Sequence, residues 1–501
     1  MSPSPSSVSP LPPRPLRNAL EGALAALCAV VAMAALAVVG LAVFEPASTD
    51  SLWALTMGVI AMAVGGSATV GPDTMPMPAA SSTGTAQPAG GAANLTMSGT
   101  AHVFPLAITL FGAVVLWLVF SWGLRRRPFQ ARDLAARAVG AVGASVLVLW
   151  GAAALAHGSF TMPTVGGKGG ASLGGPLGDL VEKLFGSAGL AAAAGSAAQP
   201  PMSYQVGIGA TVIGALVWAV LVLVVGLLIS RRLPAEFSAR GLRASWAPSL
   251  SALVRTLLAV AAVLTLVGAL SAGDRKAAGG ALLTAPFALA SFLSVGLGST
   301  WTSALHMVQS PAAAAAAAGQ AGQSAAGQAG GQAAVPPADH TQRLGDLTSG
   351  GMPVWLMSIV LTGLVLLACA YAAARATDPA NARPLHPYKG PLGRHLGLAE
   401  RFGIVTALVL GGAAALAEPS LDTHVTMAGH LVSGTEIGLD GGVLWTFVAG
   451  LLAGAVAGFA GSLLCGERAS SPGFRFLPRK EPVAAATGSG AVVRNTVEPG
   501  A

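Results

Sequence analysis

The chain is 501 residues long, with 53% hydrophobic and only 9% charged side chains and a net charge of +7. Soluble domains carry about 25% charged residues, so a soluble enzyme is excluded, and the long uncharged Ala, Leu and Val runs exclude a chain that is mainly disordered. The composition is that of a membrane protein.

Residues 1–17 are rich in Ser and Pro and are expected to form a disordered cytoplasmic tail. A hydrocarbon core of about 30 Å takes roughly 20 helical residues. In a first membrane unit, 18–232, four uncharged runs meet or approach that length: 22–44, 103–124, 138–156 and 206–229. The first follows Arg14 and Arg17, yet it is longer than the apolar region of a secretory signal and no A-x-A site follows, so it reads as a retained span. A second unit, 233–468, holds 256–272, 354–374, 402–417 and 443–465. The short run 402–417 extends past Arg401 when that side chain snorkels to the headgroups. Residues 469–501 form a cytoplasmic tail, mostly disordered. The expected fold is all-α: a polytopic membrane helical bundle of eight transmembrane helices, arranged as two parallel four-helix repeats.

Lys and Arg set the orientation. With the N-terminus inside, 22 of the 27 fall on the cytoplasmic side, leaving Lys168, Lys183, Arg275, Lys276 and Arg343 outside. Both termini are then cytoplasmic. Arg17, Arg137, Arg255 and Arg401 stand at the inner mouths of the four ascending helices. They read as snorkelling interface anchors, or as a basic ring that selects anions. The overall basicity follows from this topology and from attraction to anionic lipid. Nothing in it points to nucleic acid.

The duplication rests on matching phrases. Gly151 to Ala156 and Gly412 to Ala417 are the same hexamer, entered through Leu134-Ala135-Ala136-Arg137 and Leu398-Ala399-Glu400-Arg401. Each unit also has an outer apolar stretch after its first span, 52–66 and 282–298, and these end in Val64-Gly65-Gly66-Ser67-Ala68-Thr69 and Val295-Gly296-Leu297-Gly298-Ser299-Thr300, 231 positions apart. An even number of spans per unit makes the repeats parallel. If both stretches crossed, the arginines at 125–127 and 231–232 would lie outside, against the charge rule. Two readings fit: re-entrant helices whose turns at Gly65, Gly66, Ser67, Gly296, Gly298 and Ser299 line something between the repeats, or interfacial helices covering the outer surface. The remaining outer segments, 75–99, 158–174, 187–201 and 312–334, read as flexible linkers of Gly, Ala, Ser, Pro and Gln.

The chemistry-bearing residues are few. No span carries an ionisable side chain in its central portion, which argues against a proton-coupled pump. Gly450, Gly454 and Gly458 put three glycines on one face of the last helix, a contact within the chain or the seam of a homo-oligomer. Gly170-Ala171-Ser172-Leu173-Gly174 has the form of a nucleophile elbow but no strand before it. His424, Met427 and His430 would share a helix side and suit copper, although Gly429 and Gly434 disfavour a helix, and no metal site is assigned. Cys28, Cys369 and Cys465 are far apart and in no ligand spacing. No catalytic residue and no cofactor is expected.

At 64–72 (VGGSATVGP), after an apolar outer stretch and before a Gly-rich loop, the sequence resembles the streptophobe family, very hydrophobic multi-span proteins of actinobacteria. The resemblance extends over most of the chain through its Ala/Gly/Val-rich composition. It implies a bacterial plasma-membrane protein and supplies no catalytic or binding residues. The sequence thus points to a non-enzymatic membrane protein acting through helix or lipid contacts; the alternative is a transporter or channel for a small neutral solute at the interface of the repeats.

Overall fold

A computed structural model of the chain describes residues 14–44, 52–72, 95–124, 131–160, 202–230, 240–271, 275–309, 340–346, 348–349, 352–377, 392–427 and 430–469. The tails beyond these residues, the Gly170–Gly174 motif and the Ala/Gly/Gln tract lie outside them. In hydrocarbon each backbone N–H and C=O must be satisfied within the chain, so the uncharged runs become helices. These are α1 (Arg14–Phe44), α2 (Leu52–Ala63), α3 (Leu106–Leu124), α4 (Ala131–Leu155) and α5 (Ile208–Ile229), then α6 (Arg240–Ser271), α7 (Arg275–Gly296), α8 (Val354–Ala376), α9 (Leu392–Leu416) and α10 (Val443–Ala469). The fold is the expected all-helical polytopic bundle.

Between the helices lie strands that the linker reading of the outer segments did not anticipate. They are β1 (Ala68–Pro72), β2 (Leu95–His102), β3 (His157–Phe160), β4 (Met202–Val206), β5 (Thr302–Gln309), β6 (His340–Arg343), β7 (Thr348–Ser349), β8 (Met352–Pro353), β9 (Ser420–Met427) and β10 (His430–Asp440). Eight of them form one antiparallel sheet in the order β3-β4-β1-β2-β9-β10-β5-β6; β7 and β8 pair separately. Within the first half the order is the strand after α4, the strand before α5, the strand after α2 and the strand before α3. The second half repeats that order with the strands around α9, α10, α7 and α8. The halves join where β2 pairs β9, from Leu95 opposite Met427 to His102 opposite Ser420.

The sheet is amphipathic. Residues directly opposite one another share a face, and successive residues alternate. One row runs His157, Gln205, Thr69, Thr100, Asp422, Glu436. The adjacent row runs Val206, Ala68, Ala101, Leu421. Val206 and Ala68 are buried in a cluster with Ala61, Ala153 and Ala156, which seats this face on the ends of α2 and α4. Burial there also pushes the Tyr204 phenol up from its ordinary range, so it stays neutral.

The sheet decides which helices cross. α3, α5 and α10 follow its strands within a few residues, α8 follows β6 through the separate β7-β8 pair, and α4 and α9 lead into its strands. α1 runs parallel to α4, with Gly22 against Arg137 and Ala141, and Ala19 against Gly140. α6 begins shortly after the far end of α5 and ends just before α7, with Gly268 against Ala281, so it too runs toward the sheet. These eight helices run between the sheet side and the opposite side of the bundle. α7 therefore leaves from the sheet side, and it returns to the sheet through β5. By length and hydropathy alone 278–296 could cross, whereas α3 has only a 17-residue apolar run, Leu106–Trp122. Connectivity outweighs length: α2 and α7 both start and end on the sheet side.

Each half has its own core. Met33, Ile60, Ile108, Phe120, Leu149 and Trp218 belong to the first; Leu253, Leu293, Cys369, Phe402, Val405 and Leu410 belong to the second. A smaller cluster at the sheet side joins them, with Leu106 of α3 packed among Ala290, Val295, Trp301, Leu344 and Ala417.

Candidate functional site

Both dipping segments end in glycine turns wedged below the sheet. α2 stops at Val64-Gly65-Gly66, where Gly65 takes φ +106° and the Gly65 and Gly66 amides donate back to Met62 and Ala61, each at 3.0 Å. Only glycine takes this left-handed conformation cheaply. The Thr109 hydroxyl donates to the Ala63 carbonyl at 2.5 Å, and Gly214 of α5 lies against the Val64 carbonyl. Gly214 is the seventh residue of α5, about 9 Å below its start at 1.5 Å per residue. A Cβ on Gly66 would stand 2.6 Å from the Thr211 hydroxyl and 2.9 Å from Val206. The chain then returns through Ser67, whose carbonyl accepts the Gly207 amide at 2.8 Å.

The second turn follows the same plan. Gly298 takes φ +84°, its amide donates to Val295 at 2.8 Å, and the Ser299 amide donates to Ser294 at 3.1 Å. Gly296 lies against Ser358 and Thr362 of α8, and the Thr362 hydroxyl donates to Leu293 at 3.4 Å. The Ser299 hydroxyl donates to the Gly441 carbonyl. Both turns therefore lie just below the sheet, against the first turns of the helices that follow its strands. The nearest neighbours of the first turn are Phe104, Val206, Thr211 and Gly214, and those of the second are Ser358, Thr362, Gly441 and Trp445. The two sets share no residue, and each belongs to its turn's own half.

The glycine series of α10 packs within the chain. An added Cβ on Gly450 would lie 3.3 Å from the Ala407 Cα, on Gly454 2.9 Å from the Gly403 Cα, and on Gly458 3.0 Å from the Ala399 Cα. Small residues on α9 thus answer the glycines on α10, the close approach that such series permit. This face is occupied by α9.

The four inner arginines divide into two pairs. Arg17 and Arg255 are exposed. Arg137 and Arg401 are only 3% and 4% exposed, which corrects the snorkelling reading for these two. The cause at Arg137 is α1, brought against α4 by Gly22 and Gly140 and covering the guanidinium. Arg137 Nη1 donates to Glu21 Oε2 at 3.0 Å, and its guanidinium stacks over the Phe120 ring, 5.1 Å from the centroid. Arg17 Nε lies 3.5 Å from Glu21 Oε1, and Asn18 Nδ2 donates to Asp133 Oδ1 at 3.0 Å. The sequence reading passed over Glu21, Asn18 and Asp133; the four-residue spacings Arg17 to Glu21 and Asp133 to Arg137 were the available signal. Arg401 has no ion-pair partner among the described residues, and its Nε and the Ser249 hydroxyl are buried without hydrogen-bond partners.

Among the described residues no group of His, Cys, Asp and Glu is arranged to hold a metal ion, and Cys28, Cys369 and Cys465 are free thiols. His424 and Met427 lie three apart on a strand, so these positions fall on opposite faces instead of one helix side. His430 opens β10 opposite Met427. In comparisons with protein families, curated proteins and solved structures, the chain matches none of them.

Proposed function

We propose that this integral membrane protein is a non-enzymatic component of a bacterial plasma membrane, built from two copies of one unit and acting through helix, lipid and outer-surface contacts. The observation that carries the reading is the close packing around the glycines of both turns, with α7 packed against helices of both halves. A solute pathway between the units needs those turns to face a shared polar cavity, and their neighbours are instead close-packed glycine, threonine and aromatic groups. The repeated strand order supports the two-copy reading, and so does the burial of both Arg137 and Arg401 at matching places. The Lys and Arg distribution supports an orientation with the sheet outside and the termini in the cytoplasm. The streptophobe resemblance agrees with this assignment.

Vesicles containing the purified protein, mixed rapidly with glycerol or urea, test the reading through light scattering. Swelling at the rate of protein-free vesicles is the expected result. Swelling that rises with protein content would establish the alternative, a channel for small neutral solutes between the units.

A further inference from the structure

The two halves treat the same buried cation differently. Arg137 and Arg401 occupy equivalent places in α4 and α9, each six residues into the apolar window of its helix, which opens at Ala131 and at His395. In the first half the charge is closed from within by Glu21. The 231-position offset between the first spans puts Ser249 where Asn18 stands, Ala252 where Glu21 stands and Leu253 where Gly22 stands. The Leu-Ala-x-Arg alignment puts Gly397 in place of Asp133 and Ile404 in place of Gly140. The second half has thus lost both carboxylates of the cluster, and the two glycines that draw α1 onto α4 have become Leu253 and Ile404.

What remains is a guanidinium that does not deprotonate in proteins, 4% exposed and without a counter-ion among the described residues. Its Nε has no hydrogen-bond partner, as is also true of Arg137, so the two halves differ in the missing carboxylate; the fully buried Ser249 hydroxyl on α6 has no partner either. Glu400 is next along α9 but makes no ion pair with it among the described residues. A buried charge of this kind requires a compensating anion. We propose that Arg401, with Ser249, forms a binding site for a phosphate-type oxyanion between α6 and α9, on the membrane side opposite the sheet. The planar guanidinium presents paired N–H donors matched to two phosphate oxygens, and the hydroxyl adds a third donor. Arg401 lies about 9 Å along the helix from His395. At that depth the ligand is the phosphate of a phospholipid headgroup or a free phosphate ion.

Thermal unfolding of the full chain in dodecyl maltoside tests it, with sodium phosphate against sodium chloride at equal ionic strength, and with phosphatidylglycerol against an uncharged monoacylglycerol. The wild-type midpoint should rise by several degrees. A rise with phosphate identifies the free ion as sufficient; a rise with phosphatidylglycerol alone identifies the headgroup. Either rise should vanish in Arg401→Gln. Ala252→Glu, which supplies the carboxylate that the first half has at Glu21, should raise the ligand-free midpoint and abolish the response. No rise with either ligand, or a rise undiminished in Ala252→Glu, would overturn the proposal.

Discussion

Arg137 is the residue on which the first half closes. Its guanidinium is 3% exposed, ion-paired to Glu21 and laid over Phe120. Removing one member of a buried pair leaves an uncompensated charge and costs about 3–5 kcal/mol when both partners are buried. The Glu21 side chain is 39% exposed, so water screens part of that loss and Glu21→Ala should cost about 2 kcal/mol. Thermal unfolding in detergent will show a lowered midpoint if the pair stabilises the fold; an unchanged midpoint would mean that water replaces Glu21 at no cost. The sequence reading placed all four inner arginines correctly in the chain and gave two of them the wrong surroundings. A basic residue at a helix mouth ordinarily snorkels. Whether it does so here depends on a neighbouring helix that only tertiary packing supplies.

At the scale of elements, close contact between helices is set by small residues on both partners. The glycine series of α10 was legible from its four-residue spacing, but its partner was not, because Gly403 and Ala407 of α9 belong to a separate span. Gly454→Leu must push against Thr406 and the Gly403 backbone, and overpacking of this kind costs about 1–3 kcal/mol. It should lower the unfolding midpoint and the yield of monodisperse protein. Gly412→Leu, at a site with open space around it, is the matched control and should leave both unchanged. The sheet was the largest element to escape the sequence reading, although its signal was present. Residues 95–102 and 420–427 alternate in the period of two that marks a half-buried strand. The linker assignment of 75–99 took in the start of the first run, and the second was weighed only as a helix side carrying His424, Met427 and His430.

Across the whole molecule, the number of long apolar helices was legible from apolar run length, whereas the choice between re-entrant and interfacial outer segments was left open by the sequence. The sheet adds the constraint that charge counting alone leaves open. Because β5 lies in the same sheet as β1, β2 and β4, α7 must come back to the side it left. Its 22 residues, long enough to cross, instead deliver the turn at Gly296 below the ends of α8 and α10. The return of α7 to the sheet side is the feature on which this topology rests, and its end packs against α8, α10 and Leu106 of the first half.

That feature can be tested directly with single cysteines in a background lacking Cys28, Cys369 and Cys465. Lys276→Cys and Thr302→Cys flank α7, Glu436→Cys marks the sheet, and Arg17→Cys marks the opposite side. Intact cells treated with a membrane-impermeant maleimide should label the first three and leave Arg17→Cys unlabelled until the membrane is permeabilised. Labelling of Lys276→Cys and Thr302→Cys from opposite sides would show that α7 crosses, and would contradict the account.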